Sequence, residues 1–320
     1  MKETNKRGGR YLAIAAAGLL GLSMLGTASP ASAATGDEIA ALDSLGLLTK
    51  KQVVEVDASA DQARSAQSAT AEPPASYIED GSLVTPYGAA GTLRVQPSSS
   101  GTVSEQQGVG LQQIDASHSY AFTTETDAAA NAGYVIIKDA SAPTEFGFDV
   151  TFADQDVTLE QLEDGVVSVT SETGEVLNYF LPAWALDANG VPVETSYSVE
   201  GTTLVQHVAH EGAAYPVVAD PKQACNLVHC TLEFNKSETT GIKNSSVAAS
   251  AAICGPVTVG FWPVGIACGV YAANAIYAAE MAVADGGCFG MRAGRFPPAT
   301  PIVGIPHFVT YYGGNCVGSY

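Results

Sequence analysis

Six cysteines and five histidines carry most of the chemistry open to this chain. The cysteines are Cys225, Cys230, Cys254, Cys268, Cys288 and Cys316, all in the last hundred residues, and the 224 residues before them contain none. An even set confined to one end reads as a disulfide framework stapling a small module. Metal binding is the rival reading. Cys225 and Cys230 have four residues between them, but no second close pair completes a tetrahedral site. Cys254 and Cys268 fall at the facing ends of two expected helices, thirteen residues between them, and a bridge there is worth about 3 kcal/mol by chain entropy. For the other four, the favoured pairing ties Cys225 and Cys230 to Cys288 and Cys316, in either order. His207 and His210 stand three apart on an expected strand, where they point to opposite faces and cannot share one ion. His118 sits in Ser117-His118-Ser119, yet no Gly-x-Ser-x-Gly elbow occurs. His229 and His307 lie in the cysteine-rich end without an acid at a diagnostic spacing. Asp154-Gln155-Asp156 lacks the Gly and closing Glu of a calcium loop. No catalytic residue, metal ligand or cofactor is expected, and an enzyme is the less favoured reading.

Disulfides need an oxidising compartment, and the amino end reads as an export signal. Lys2, Lys6, Arg7 and Arg10 precede an apolar run over residues 11–25, and Pro30 leads into Ala31-Ser32-Ala33. That small-x-small pattern suits a signal peptidase, with cleavage after Ala33 and Ala34 as the second choice. No cysteine lies near the cleavage site for a lipid, and no apolar, basic tail closes the chain, so the expected product is secreted. Charge divides as cysteine does. Residues 34–220 hold 5 Lys and Arg against 28 Asp and Glu, whereas residues 221–320 hold 5 against 4. The acidic part would be repelled by phosphate, which argues against nucleic acid as a partner. Cell envelope or a membrane surface is the partner class left open.

The elements follow from period. Ile39, Leu42, Leu45 and Leu48 recur at helical spacing from Gly36-Asp37 onward, so a short amphipathic helix is expected. Residues 57–74, rich in Ala, Ser and Gln and ending in Glu72-Pro73-Pro74, read as linker. Beyond about Tyr77 the period becomes two: Phe146, Phe148, Val150 and Phe152 alternate with Gly147, Asp149 and Thr151. Glu172-Thr173-Gly174 and Glu200-Gly201 mark hairpins, Asp187-Ala188-Asn189-Gly190 a turn, and residues 134–137 a buried strand. The expected fold is an antiparallel sandwich or barrel. After Asp220-Pro221 the texture changes. A short strand at residues 231–234 leads to Asn235 or Ser237 as a helix cap. The 36 uncharged residues from Asn244 to Ala279 are broken at Gly255-Pro256 and Trp262-Pro263. A helical hairpin is expected, with helices over about 237–253 and 265–284, the second carrying Gly265, Gly269 and Ala273 in one row. Two strands, over 288–296 and 307–312, close a small α+β module.

The run Trp184-Ala185-Leu186-Asp187-Ala188-Asn189-Gly190-Val191-Pro192-Val193, followed by Tyr197-Ser198-Val199-Glu200-Gly201 and Tyr215-Pro216-Val217-Val218-Ala219-Asp220-Pro221, resembles a segment of exported proteins of high-GC Gram-positive bacteria. In those proteins a β-rich region precedes a variable carboxyl-terminal module. Residues 230–239 and Gly313-Gly314-Asn315-Cys316 are similar to one such module. The resemblance spans about residues 180–320 and brings no catalytic residues with it. The expected organisation is a signal peptide over 1–33, a short helix and disordered linker over 34–74, an antiparallel β domain over 75–220 and a disulfide-stapled α+β domain over 221–320. Asp220-Pro221 is the expected processing junction between the last two. The favoured function is a non-enzymatic extracellular effector or surface-binding module presented by a β-rich pro-region. A membrane-active, bacteriocin-like module is the alternative, and a cell-wall hydrolase the second.

Overall fold

The computed structural model describes residues 34–48, 52–56, 75–124, 131–162, 165–225, 229–245, 272–294, 307–312 and 316. Strand dominates, and every strand pair is antiparallel. One large sheet runs β15 (Thr195–Glu200), β16 (Thr203–Val208), β9 (Glu145–Phe152), β4 (Thr92–Pro97), β3 (Ser82–Pro86) and β2 (Tyr77–Glu79), with β10 (Gln155–Asp156) also on β9. A second runs β14 (Ala185–Leu186), β17 (Val217–Ala219), β8 (Ala132–Ile137), β7 (His118–Thr123), β6 (Val109–Gln113) and β5 (Thr102–Gln106). A three-stranded sheet holds β11 (Thr158–Gln161), β12 (Val167–Thr170) and β13 (Val176–Phe180).

Alternation builds the core these sheets share. On β9, Phe146, Phe148 and Val150 are buried while the residues between them are not. Phe148 receives Tyr120 and Phe122 of β7 edge-on at 5.2 and 6.4 Å, the arrangement ring quadrupoles favour. Leu83, Val95, Leu204, Val135, Val217 and Phe180 complete the same cluster, so all three sheets contribute. Gly201, at φ 65°, and Gly174, at φ 82°, turn the two hairpins that the sequence marks.

Helix α1 (Ala34–Ser44) covers the other face of the second sheet. Ile39, Leu42 and Leu45 are buried against Val109, Leu111, Ala121, Tyr134 and Ile136, each contributing roughly 1.5–3 kcal/mol by burial. Its polar side is anchored too: buried Glu38 accepts from Ser119 Oγ at 2.9 Å and lies 2.6 Å from Lys138 Nζ.

The cysteine-rich end forms a four-stranded sheet in the order β1 (Gln52–Val56), β20 (His307–Tyr312), β19 (Cys288–Gly294) and β18 (His229–Glu233). Helices α2 (Lys236–Lys243) and α3 (Ala272–Ala284) pack together and onto this sheet. Asn235 caps α2 in a capping box: it accepts from Glu238 N at 2.9 Å, and Glu238 accepts from Asn235 N at 2.7 Å.

Four expectations change. Residues 52–56 were assigned to the 34–74 helix-and-linker stretch but form β1, paired over five residues from Gln52↔Tyr312 to Val56↔Phe308. Strand pairing to the far end of the chain satisfies a backbone that its own short pattern does not. The first helix ends at Lys243, not near residue 253, because Asn244 terminates it with its N–H turned back to Thr240 O and Ile242 O. The remainder of that span, the start of the second helix before Ala272, the Gly265 and Gly269 row, Cys254, Cys268, the linker 57–74 and the signal segment lie outside the described residues, whereas Ala34 opens α1. The cysteines pair Cys225–Cys230 and Cys288–Cys316, not across those pairs. Ala224 O accepts from Thr231 N, and Cys225 and Cys230 stand opposite each other as an isolated antiparallel bridge, so the near partner is the reachable one.

The fourth change concerns the boundary. Asp220 and Pro221 are buried, as are the four residues that follow. Pro221 O accepts from Gly133 N, Lys222 O from Leu181 N, and Tyr179 O from Ala224 N, while Thr85 Oγ1 donates to Gln223 Oε1 at 3.0 Å. Asn178 clasps the backbone of Cys225 from both sides, at 2.9 and 3.0 Å. The expected processing junction is stitched into the β region, and a protease cannot thread it through a cleft without unravelling those pairs. Leu181 and Tyr179, in turn, pack into the core of the cysteine-rich end.

Candidate functional site

Two places gather unusual side chains: the outer face of α3 and the Asp220 junction. On α3 the buried positions are Ala275, Ala278, Ala279 and Ala282, spaced three and four apart along one stripe. They meet Leu232, Phe234, Ile242, Phe289, Met291 and Phe308. Their small size lets the helix axis sit close to the sheet, so the larger side chains fall on the other face. Tyr277 and Met281 point outward there at 50% and 41% exposure, one turn apart. Ala273, in the small-residue row that the sequence singled out, is exposed, not buried.

At the junction, Asp220 is fully buried. Its Oδ1 accepts from Trp184 N at 2.9 Å and from Gln206 Nε2 at 3.1 Å. Trp184 O in turn accepts from Asp220 N, so residues 184 and 220 hold each other twice. The Tyr197 hydroxyl faces the same carboxyl without meeting strict hydrogen-bond geometry, and Asp220 Oδ2, Tyr197 OH and Gln206 Oε1 make no hydrogen bond within the protein. Desolvation pushes the carboxyl up to about 7, against the neighbouring donors that favour its charged form. Burial also raises the Tyr197 phenol well above its ordinary value. Two residues on, Lys222 Nζ pairs with Glu233 Oε2 of β18, with side chains only 5% and 2% exposed. This ion pair ties the stretch after β17 to the cysteine-rich sheet.

Sequence reasoning listed the cysteines and the cut but missed the chemistry of Asp220, Lys222 and Glu233. One signal was present: a lone acid closing the apolar run Val217-Val218-Ala219 must be buried with its strand. The segment over residues 184–221 supplies much of this geometry. Asp187 Oδ1 accepts from Asn189 N and Val191 N, fixing its turn, and those bonds hold its carboxyl below the ordinary range.

The histidines are placed apart. His207 bonds Ser198 Oγ at 2.7 Å, whereas buried His210 bonds Tyr215 OH at 2.9 Å and Pro143 O at 3.0 Å. They share no ligand position. His118 comes nearest to catalytic form, since Asp115, Ser117 and His118 meet. Yet Ser117 Oγ donates to Asp115 Oδ1 at 2.7 Å, and both lie 3.2 Å from the same His118 nitrogen, Nδ1. A nucleophilic triad needs the serine and the acid on opposite ring nitrogens. This is a side-chain-capped turn, in which Asp115 also accepts Ser117 N and His118 N. The His118 ring packs edge-on to Phe146 at 5.5 Å, and burial pushes its pKa below the ordinary value. His229 stands opposite Gly294 and His307 opposite Arg292, with β19 between them, so two strand spacings, about 9.5 Å across the sheet, and a two-residue offset along it separate their backbones.

Among the described residues no group of three or more His, Cys, Asp or Glu is arranged to hold a metal ion. No helix among them is long and apolar enough to cross a membrane. The two disulfides point to an oxidising environment. No family model, no curated protein and no solved structure matches this chain.

Proposed function

We propose that this is a secreted, non-enzymatic binding protein, in which an acidic antiparallel β domain presents a disulfide-stapled α+β module to a cell-envelope surface. The observation that carries the reading is the outward face of α3, where Tyr277 and Met281 stand exposed on a helix whose alanine face is sealed. Aromatic and methionine side chains are enriched at contact surfaces. A tyrosine ring covers area at small entropic cost, and a thioether adapts its shape to what it meets. The disulfides and the basic-then-apolar amino end support export of the whole. The near-neutral charge of residues 221–320, beside the acidic β region, supports assigning contact to the module, because it carries little repulsion towards an anionic envelope.

Labelled full-length protein incubated with isolated bacterial envelopes tests this, beside a Tyr277→Lys/Met281→Lys variant with an unchanged circular dichroism spectrum. Retention that falls by about tenfold or more in the variant is expected, the size of loss typical of a central contact residue. Equal retention of the two proteins, or none of either, refutes the reading.

A further inference from the structure

We propose that Asp220 severs its own peptide bond to Pro221, converting the folded chain into two fragments that remain associated. The proposal stands apart from the binding role of α3, and neither depends on the other.

Asp220-Pro221 is the one Asp-Pro step in the sequence. Proline makes its nitrogen a tertiary amide, and that nitrogen leaves as a secondary amine once it is protonated. An aspartyl oxygen reaches the carbonyl carbon of its own residue by closing a five-membered ring, so the nucleophile needs no partner from elsewhere in the fold. The structure adds three things. The carboxyl is fully buried, with Oδ1 held by Trp184 N and Gln206 Nε2 and Oδ2 unpartnered within the protein. The bond is clamped on both sides, by Asp220 N on Trp184 O and by Gly133 N on Pro221 O. Burial keeps the carboxyl neutral in part near pH 7, against the donors from residues 184 and 206, which favour its charged form but bring no net charge; the facing titratable group is Tyr197 of β15, itself driven towards its neutral form.

The neutral carboxyl supplies both parts the reaction needs. One oxygen adds to the Asp220 carbonyl carbon, and the carboxyl proton passes to the Pro221 nitrogen. The carbon–nitrogen bond then breaks, leaving Asp220 as a cyclic anhydride and Pro221 as a free amino terminus. One water opens the anhydride to the two carboxylic acids of a terminal aspartate, with no change of oxidation state. Burial closes this junction to proteases but not to a reaction internal to one residue. Lys222 to Cys225 stay paired to Leu181, Asn131, Tyr179 and Asn178, so the new ends stay in place after the cut.

Purified full-length protein held at mildly acidic, neutral and alkaline pH, and read by intact mass after denaturation, tests this. The expected result is two species meeting at Asp220 and Pro221, with masses summing to the intact chain plus one water. They co-elute on native gel filtration, and their rate of formation falls as the buffer moves above neutrality. Asp220→Asn removes the nucleophile and Pro221→Ala the labile amide; each is expected to leave the chain whole. The wild-type chain unfolded in urea at the same pH is expected to cut at least about tenfold more slowly, the modest end of what a held geometry contributes. An intact wild-type chain at every pH, equal rates folded and unfolded, or cutting that persists in Asp220→Asn overturns the proposal.

Discussion

Replacing Asp220 by Asn should abolish a pH dependence of stability that the wild-type chain carries. Desolvation raises the carboxyl from an ordinary value of 3.8 to about 7 in the folded protein. Between those values the folded state holds a proton that the unfolded state has released, so stability falls as pH rises. The contribution is complete below 3.8 and lost above about 7. Each pH unit of that interval is worth about 1.4 kcal/mol, which gives roughly 4 kcal/mol over the whole of it and roughly 2–3 kcal/mol between about pH 5 and pH 8. The formal net charge of −19 at pH 7 reinforces the trend through self-repulsion. That background is nearly common to both proteins, and their difference isolates the one carboxyl. Asparagine keeps an acceptor for Trp184 N and Gln206 Nε2, and its amide can donate to the otherwise unpartnered Gln206 Oε1 or Tyr197 OH. Urea unfolding of freshly purified protein, followed by tryptophan fluorescence across this range, reads the effect. The gap between variant and wild type should swing in the variant's favour by roughly 2–3 kcal/mol from about pH 5 to pH 8. Curves that stay parallel within about 0.5 kcal/mol would refute a carboxyl held neutral by burial.

Two further outcomes follow from the same region. Lys222→Met or Glu233→Leu alone breaks a buried ion pair from one side and should cost about 3–5 kcal/mol in urea unfolding, while the double variant recovers most of it. Removing Cys288–Cys316, which spans 28 residues, should cost about 3.5 kcal/mol by loop entropy, and removing Cys225–Cys230, which spans 5, about 2 kcal/mol; thermal melts of the serine pairs should rank them so.

What could be read from the residues was what they do to their neighbours. The alternation around Phe146 and Phe148, the glycine turns at Gly174 and Gly201, the Asn235 cap and the Ile39, Leu42, Leu45 stripe all act within a few residues, and each stands in the structure as a strand, hairpin, cap or packed helix face. Gln52–Val56 is too short for a period to declare itself, and its pairing is decided at the opposite end of the chain. The cysteine partners turn on the reversal that sets Cys225 against Cys230, which spacing alone left as a weak metal signal. Asp220-Pro221 reads as a processing junction because the texture of the sequence changes there. The burial of Asp220 depends on Trp184, Tyr197 and Gln206 arriving from elsewhere in the fold.

A ribosome delivers the amino end first, so β1 is synthesised long before the strand it lies against. Until residues 307–312 are made, the edge of β1 stands open, and the matching edge on a neighbouring chain fits equally well. Dilute, slow synthesis therefore favours a ring closed within one molecule, whereas overproduction favours chains clasped to each other by exchanged first strands.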